Sequence, residues 1–220
     1  MRIRMLFLAA VMLPAVAAVA QQPPLPPDIH PVTLSRMPPI NRAELDAEGQ
    51  KALDARATPP TPAPGPGHVT VWSPRATEGL GLIGRALGVP RGDTFPLGPR
   101  LYQLIVLITA REIDQQYEWS AHEPAGLRVG LEQSVIDVVK YDRDVTGLAA
   151  KDALVIRFGH QLFHDRKMDS ATFAKAVELF GRRGAMDMVA VMVTYAASGF
   201  YAIAVDEHMP AGRPDLVPLN

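Results

Sequence analysis

The chain has 220 residues and a formal net charge of −1, with 48% hydrophobic residues, 20% charged residues and no cysteine. This composition is ordinary for one globular domain with appendages. The near-neutral charge argues against a nucleic-acid partner, because binding to phosphates needs a basic face. The absence of cysteine excludes disulfide frameworks, thiolate zinc sites, iron–sulfur clusters and cysteine nucleophiles.

The first twenty residues have the pattern of a secretory signal peptide. Arg2 and Arg4 precede an apolar run from Met5 to Val19, and the small residues Ala18-Val19-Ala20 form a cleavage site. The alternative, a transmembrane anchor, needs roughly 20 apolar residues, whereas this run is shorter and is interrupted by a proline. We therefore predict removal of residues 1–20, a periplasmic or secreted location, and no membrane contact of the mature chain.

Proline divides the rest of the chain into an extension and a helical body. Of the 21 prolines, 16 lie between residues 21 and 99, and one lies between residues 100 and 205. Because proline disrupts helix interiors, the body is expected to begin after the proline-rich part. The predicted organisation is a proline-rich extension over residues 21–67, a helical domain over residues 68–209 and a tail over residues 210–220.

Within the extension, one short helix is predicted from Asn41 to Arg56, with Asn41 as its N-cap and Glu44 three residues later. Residues Gln21 to Met37 are expected to be extended and poorly ordered, because proline removes backbone donors.

In the body, apolar residues recur at helical spacing, as at Leu101, Leu104, Ile105 and Ile108. The segment from Met186 to Val205 is apolar nearly all round, which predicts the buried central helix of a bundle. No window alternates in the period of a strand over more than a few residues, so the predicted class is all-α. So much apolar surface in a small bundle also predicts a homo-oligomer.

The densest polar cluster of the body extends from Arg111 to His122. On one helix, Asp114, Glu118 and His122 would be spaced i, i+4 and i+8, so their side chains would share a strip. A carboxylate one turn before an imidazole can fix its tautomer and raise its pKa, as a general acid or base requires. The alternative is a solvated helix face. Pro124 is expected to break or kink the helix beside His122, or to begin a new one.

The string Tyr117-Glu118-Trp119-Ser120-Ala121-His122, preceded by Leu104 to Arg111, resembles the core of the carboxymuconolactone decarboxylase family, the all-helical group related to alkylhydroperoxidase D. The similarity extends from about Leu97 to Glu207. The resemblance implies an alkylhydroperoxidase D-like helical bundle that forms trimers or hexamers with active sites near subunit interfaces. It also implies either cofactor-free lactone decarboxylation or thiol-based peroxide reduction of a small-molecule substrate. His122 occupies the family's histidine position.

The sequence departs from the family pattern at three positions. Gln115 and Glu118 stand where peroxidase members have a Cys-x-x-Cys pair, so disulfide cycling is excluded. Gln103 stands where the family commonly has a glutamate, and an amide cannot shuttle a proton. Any proton relay must therefore run through Glu118 and His122.

These residues define the predicted site. His122 is expected to be the general acid or base, and Glu118 its orienting partner. Six further residues are expected to bind substrate or to support the pair: Gln103, Arg111, Asp114, Gln115, Tyr117 and Trp119.

The other histidines receive no role in this site. His160 and His164 are spaced i, i+4 and could present two imidazoles to one metal, but no third ligand is obvious. We therefore predict no metal and no cofactor. His30, His68 and His208 are expected to face solvent.

The function predicted on these grounds is an exported, cofactor-free enzyme that acts by proton transfer or decarboxylation on a small lactone or oxo acid. The alternative is a non-catalytic oligomeric binding module that retains the fold, marked by a closed contact between Glu118 and His122 with no adjoining cavity. Peroxiredoxin-like activity is disfavoured, because the chain has no thiol.

Overall fold

A computed structural model describes residues 24–55, 65–88, 92 and 94–216 of the chain. Over these residues the regular structure is helical and includes no strand, which confirms the all-α prediction. The predicted signal peptide and residues 56–64 of the predicted proline-rich extension lie outside the described residues. The α-helices are α1 Ala47–Asp54, α2 Pro66–Val69, α3 Pro74–Leu87, α4 Pro99–Glu112, α5 Gln116–Arg128, α6 Gln133–Lys140, α7 Ala150–His160 and α8 Ser170–Ala204.

Helix α4 is the centre of the bundle. Every residue from Leu101 to Arg111 is buried, and the helix packs against α5, α6, α7 and α8. A helix that is apolar around most of its circumference can be covered only from all sides, which explains this position. The prediction that Met186 to Val205 forms the buried central helix is therefore wrong, because the central helix is α4.

Helix α8 buries only one of its faces. Met188, Val191 and Met192 belong to the core, whereas Met186, Val193 and Phe200 are 50%, 55% and 58% exposed. The three exposed residues are seven positions apart, so they form one stripe along the helix. The sequence of α8 did not indicate which face would be buried, because both faces are apolar.

The backbone of α8 leaves helical geometry at Gly181, where φ is 71° and ψ is 167°. Within the described residues α8 is the one helix long and apolar enough to cross a membrane, by length and composition alone. It packs against α3, α4 and α7, and 44% of its apolar window is buried.

The N-terminal segment from residue 24 to residue 37 is a folded turn packed on the bundle, so the prediction of a poorly ordered segment is wrong. Thr33 and Ser35 are fully buried. The Arg36 backbone N–H donates to the carbonyl of Val205 at 2.8 Å, and the Ser35 hydroxyl lies 3.1 Å from Nε2 of His68. His68 is therefore buried, and its predicted solvent exposure is wrong as well.

The predicted helix from Asn41 to Arg56 is divided in two. Asn41 caps a 3₁₀ turn at Arg42–Glu44, and Asp46 caps α1 through a 2.7 Å bond from the backbone N–H of Gly49. The two N-cap residues, Asn41 and Asp46, explain the division, because each starts its own helical segment.

Helices α4 and α7 approach closely at Gly159, where an added Cβ would lie 2.6 Å from Cγ1 of Ile108. We predict that Gly159→Ala lowers the free energy of unfolding by about 1–3 kcal/mol through overpacking, even though alanine favours helix. Gly79→Ala is the matched control, because that helical position has no atom within 4 Å of the new Cβ. The control is expected to gain about 0.5–1 kcal/mol. Urea denaturation of both variants measures the two changes, and equal effects would contradict the close packing.

Candidate functional site

The polar cluster from Arg111 to His122 is divided by a turn. Helix α4 ends at Glu112, Asp114 has a positive φ of 51°, and α5 begins at Gln116. Asp114 is exposed, and its Oδ1 lies 3.7 Å from Nη2 of Arg111. The predicted strip of three residues is therefore wrong: only Glu118 and His122 share the face of one helix.

Gln115 starts α5. Its side-chain Oε1 accepts a 2.7 Å hydrogen bond from the backbone N–H of Glu118, which makes Gln115 the N-cap. Pro124 lies inside α5, which continues to Arg128, so the predicted break beside His122 is wrong. A single proline removes one backbone bond of the helix and can be accommodated where flanking turns hold it.

His122 is oriented by α4. Its Nδ1–H donates to Oε1 of Gln103 at 2.7 Å, and both side chains are buried. This bond places the proton on Nδ1 and leaves the Nε2 lone pair directed away from α4. Gln103 thus holds the tautomer of the imidazole, a positioning task that an amide can perform although it cannot carry a proton.

Glu118 lies between His122 and α8. Its Oε1 accepts a 2.7 Å hydrogen bond from the hydroxyl of Ser198, and its Oε2 lies 3.7 Å from Nε2 of His122. Helix α8 comes this close because residue 199 is glycine: a Cβ there would lie 2.5 Å from Cδ1 of Ile113. Two tyrosines pack next to this pair. The ring of Tyr195 meets the ring of His122 edge-on, with centroids 4.9 Å apart, and the hydroxyl groups of Tyr195 and Tyr102 are hydrogen-bonded at 2.9 Å.

Burial moves the pKa values of the pair in opposite directions. It raises the pKa of Glu118 from its ordinary 4.5 to about 7, with the Ser198 hydrogen bond acting in the opposite sense. It lowers the pKa of His122 from 6.5 to about 4. Loss of water disfavours the charged form of each group, so both shifts favour a neutral pair. The expectation that the carboxylate raises the pKa of the imidazole is therefore wrong: the group with a pKa near 7 is Glu118.

Sequence reasoning missed a second buried carboxyl group near this pair. Burial raises the pKa of Glu207 to about 7, and the charge of Glu118 adds to the rise, while the Gly65 backbone and Arg213 oppose it. Glu207 follows the end of α8, where no helical periodicity links it to Glu118. In the sequence, the one feature that pointed to Glu207 was its position at the end of the region that resembles the family.

Four of the predicted supporting residues have contacts outside the pair. Trp119 donates from Nε1 to Oε2 of Glu123 at 2.8 Å. The guanidinium of Arg213 lies 5.2 Å from the centre of the Tyr117 ring. Arg111 donates to the backbone carbonyl of Lys140 at 3.2 Å. Asp114, the fourth, lies at the surface. The two other predicted supporting residues contact the pair: Gln103 contacts the imidazole of His122, and Gln115 contacts the backbone N–H of Glu118.

A cleft of about 400 Å³ lies between α3 and α8, beside the pair. Its wall includes Tyr195 and Ser198, the residues that contact His122 and Glu118, and also Arg85 from α3. His122 and Glu118 do not line the cleft themselves. The hydroxyl of Ser198 therefore connects the open space with the buried carboxyl group.

Comparison with protein-family models, with curated proteins and with solved structures gives no match. The resemblance to the carboxymuconolactone decarboxylase family therefore rests on the residues of the motif alone.

The raised pKa of Glu118 predicts a pH-dependent stability difference between the protein and the variant Glu118→Gln. The unfolded chain releases this proton near pH 4.5 and the folded chain near pH 7, so ionisation of Glu118 costs stability as pH rises through this window. Above pH 7 the variant is expected to be more stable by up to about 3 kcal/mol, and by much less at pH 5. The amide oxygen that Glu118→Gln introduces can still accept a hydrogen bond from the hydroxyl of Ser198.

Chemical denaturation at pH 5 and pH 8 measures this difference. His122, whose folded pKa lies below its unfolded value, stabilises less as pH falls from 6.5 to 4, but this effect is common to both proteins. A difference that does not change with pH would contradict the burial of an ionisable Glu118.

Proposed function

We propose that the chain is a carboxymuconolactone decarboxylase-like protein with the alkylhydroperoxidase D-like bundle, which performs cofactor-free proton transfer or decarboxylation on a small lactone or oxo acid. The observation that carries the proposal is a buried carboxyl–imidazole pair with a carboxyl pKa of about 7, beside an open cleft. Perturbed titratable groups of this kind cluster at active sites. Export to the periplasm or beyond rests on residues 1–20 of the sequence.

In the proposed mechanism Glu118 is the proton donor and acceptor. A group with a pKa near the working pH is present in both protonation states, which suits a general acid and base. When a β-oxo carboxylate loses CO₂, the electron pair of the broken C–C bond enters the carbonyl and forms an enolate. The Glu118 carboxyl group then protonates the enolate carbon, and solvent returns the proton to Glu118.

His122 contributes as a neutral group in this mechanism. With its Nδ1–H bonded to Gln103, its Nε2 faces Oε2 of Glu118 at 3.7 Å and can accept a hydrogen bond from the protonated carboxyl group when the side chains move closer. The low pKa of His122 keeps the imidazole uncharged at neutral pH, so it does not hold Glu118 in the ionised form.

The substrate is proposed to enter through the cleft between α3 and α8. Arg85 supplies a cation to its wall, and a guanidinium is well shaped to hold a carboxylate through two parallel hydrogen bonds. Movement of the Ser198 hydroxyl from Glu118 toward the substrate would open the route to the carboxyl group.

One observation favours the alternative function, a binding module without catalysis. The side chains of Glu118 and His122 are each less than a tenth exposed, and neither lines the cleft. In this second proposal the pair stabilises the fold, and the cleft holds a ligand without reaction. Peroxidase chemistry stays disfavoured, because the chain has no thiol.

The kinetic test uses β-oxo acids and carboxylated γ-lactones as probes and measures CO₂ release. Glu118→Gln is expected to reduce turnover about a hundredfold, and His122→Ala to abolish it. The rate of the unmodified protein is expected to change with pH around 7, and Glu118→Gln is expected to lose this inflection.

Glu123→Gln is the matched control for these variants. Glu123 is a buried carboxylate on the same helix. Its contacts are with Trp119 and Lys140 rather than with Glu118 and His122. It is expected to change stability without changing the rate per folded molecule. Full activity in both His122→Ala and Glu118→Gln would exclude the catalytic proposal and leave the binding module.

A homo-oligomer is also proposed, with trimers or hexamers implied by the family resemblance. Its support is the exposed stripe of Met186, Val193 and Phe200 on α8, because contiguous apolar surface on a folded protein marks an interface. Light scattering of the full chain is expected to give a multiple of the monomer mass, and Val193→Glu to reduce that mass. A monomer at micromolar concentration would contradict the proposal.

A further inference from the structure

A group of metal-ligating side chains lies at the end of α7, apart from the residues of the proposed active site. The group consists of His160, His164 and Asp165, and its ligand atoms lie within 4.8 Å of one another. The sequence pairs the two histidines at i, i+4 without a third ligand, and the folded chain supplies that ligand in Asp165. In the described part of the chain, this is the one His, Asp and Glu group with such spacing.

The backbone after α7 brings the two imidazoles together. Residues Gln161–Asp165 form a π-helical turn, and the rings of His160 and His164 stack with their centroids 4.6 Å apart and their planes 14° apart. Short π-helical turns are rare and occur frequently at functional sites. A wider turn changes the register of the helix, so the second imidazole lies over the first.

Each imidazole has its Nδ1 bonded to a carboxylate. Nδ1–H of His160 donates to Oε1 of Glu112 at 3.1 Å, and Nδ1–H of His164 donates to Oδ1 of Asp165 at 3.0 Å. The bond to Glu112 fixes the tautomer in which Nε2 of His160 carries the lone pair, which is the arrangement found in carboxylate–histidine–metal units. Glu112 is well suited to this task, because its side chain is 9% exposed and is held on the buried helix α4. His164 and Asp165 would bind the ion through Nδ1 and Oδ1, so that the ion replaces the proton between them.

The distances fit a first-row divalent ion after small rotations of the side chains. Zinc binds imidazole nitrogen at about 2.0–2.1 Å, so tetrahedral ligands lie roughly 3.3 Å apart. The three ligand atoms, at most 4.8 Å apart, need to approach by about 1.5 Å. His164 and Asp165 are exposed, which leaves them room to rotate and leaves further coordination positions to water.

The charges around the group also suit a cation. The shallow cleft that adjoins His160 is lined by Asp142 and Asp144 as well as by Arg143 and Arg157. Glu112 and Asp165 contact the two imidazoles directly, at 3.1 Å from His160 and 3.0 Å from His164. Each imidazole therefore has a carboxylate beside it, and a bound divalent ion would offset part of their negative charge.

We propose that His160, His164 and Asp165 form an open, three-ligand site for a divalent transition metal of the zinc class, with Glu112 as the residue that orients His160. Imidazole nitrogen with carboxylate oxygen is a donor set that suits zinc, nickel and copper, whereas calcium and magnesium prefer oxygen alone. The site is independent of the proposed reaction at Glu118 and His122.

Calorimetric titration of the untagged full chain with ZnCl₂ at pH 7.5 tests the site. One zinc ion per chain is expected to bind, with no heat from MgCl₂ under the same conditions. His160→Ala and His164→Ala are each expected to weaken zinc binding at least tenfold. The double variant His30→Ala/His208→Ala is the control, because it removes two histidines outside the group, and it is expected to keep full affinity.

A second variant tests the orienting role of Glu112 separately from folding. Glu112→Gln is expected to weaken zinc binding about 10- to 100-fold, the usual effect of losing the carboxylate behind a ligating imidazole, while circular dichroism stays unchanged. Zinc is also expected to raise the melting temperature of the unmodified protein and not that of His160→Ala. Equal zinc affinity in the unmodified protein, His160→Ala and His164→Ala would overturn the proposal, and so would equal binding of magnesium.

Discussion

The hydrogen bond between His122 and Gln103 joins the two helices that carry the candidate site, and both of its side chains are buried. Gln103 is the one side-chain amide in the buried stretch of α4 from Leu101 to Arg111. A buried polar group without a partner costs about 1–3 kcal/mol, whereas the completed bond contributes only about 1 kcal/mol. The bond therefore selects one register of α5 on α4, and the position of Glu118 follows from that register.

The chemistry of the pair follows from the same burial. The Nδ1 atom of His122 is bonded to an uncharged amide rather than to a carboxylate, and loss of water lowers the pKa of His122 to about 4. Glu118 receives one hydrogen bond from Ser198 and, in the described part of the chain, pairs with no lysine or arginine, so burial raises its pKa to about 7. The wall that separates the pair from the cleft comes from α8, which therefore controls access as well as packing.

The sequence predicted the parts of the structure that depend on local pattern. The apolar spacing of Leu101, Leu104 and Ile105 identifies α4, and the motif identifies Glu118, His122 and Gln103 as neighbours. The break at Asp114 escaped prediction, because a positive φ at a non-glycine residue has only a weak local signal. Burial of the segment around Ser35 and proximity of Glu207 to Glu118 depend on contacts between distant parts of the chain, which no window of sequence contains.

The central claim is that Glu118 carries the titrating proton of the site, and infrared difference spectroscopy measures it most directly. The carbonyl stretch of a protonated carboxyl group is recorded from pH 4 to pH 9 in Glu207→Gln and in the double variant Glu118→Gln/Glu207→Gln. Glu207, whose pKa depends on the charge of Glu118, then titrates in neither protein, and subtraction removes the other carboxyl groups. The account predicts a band that belongs to Glu118 and disappears with a midpoint near pH 7. Disappearance of that band near pH 4.5, the ordinary value for a solvated glutamate, would contradict the account.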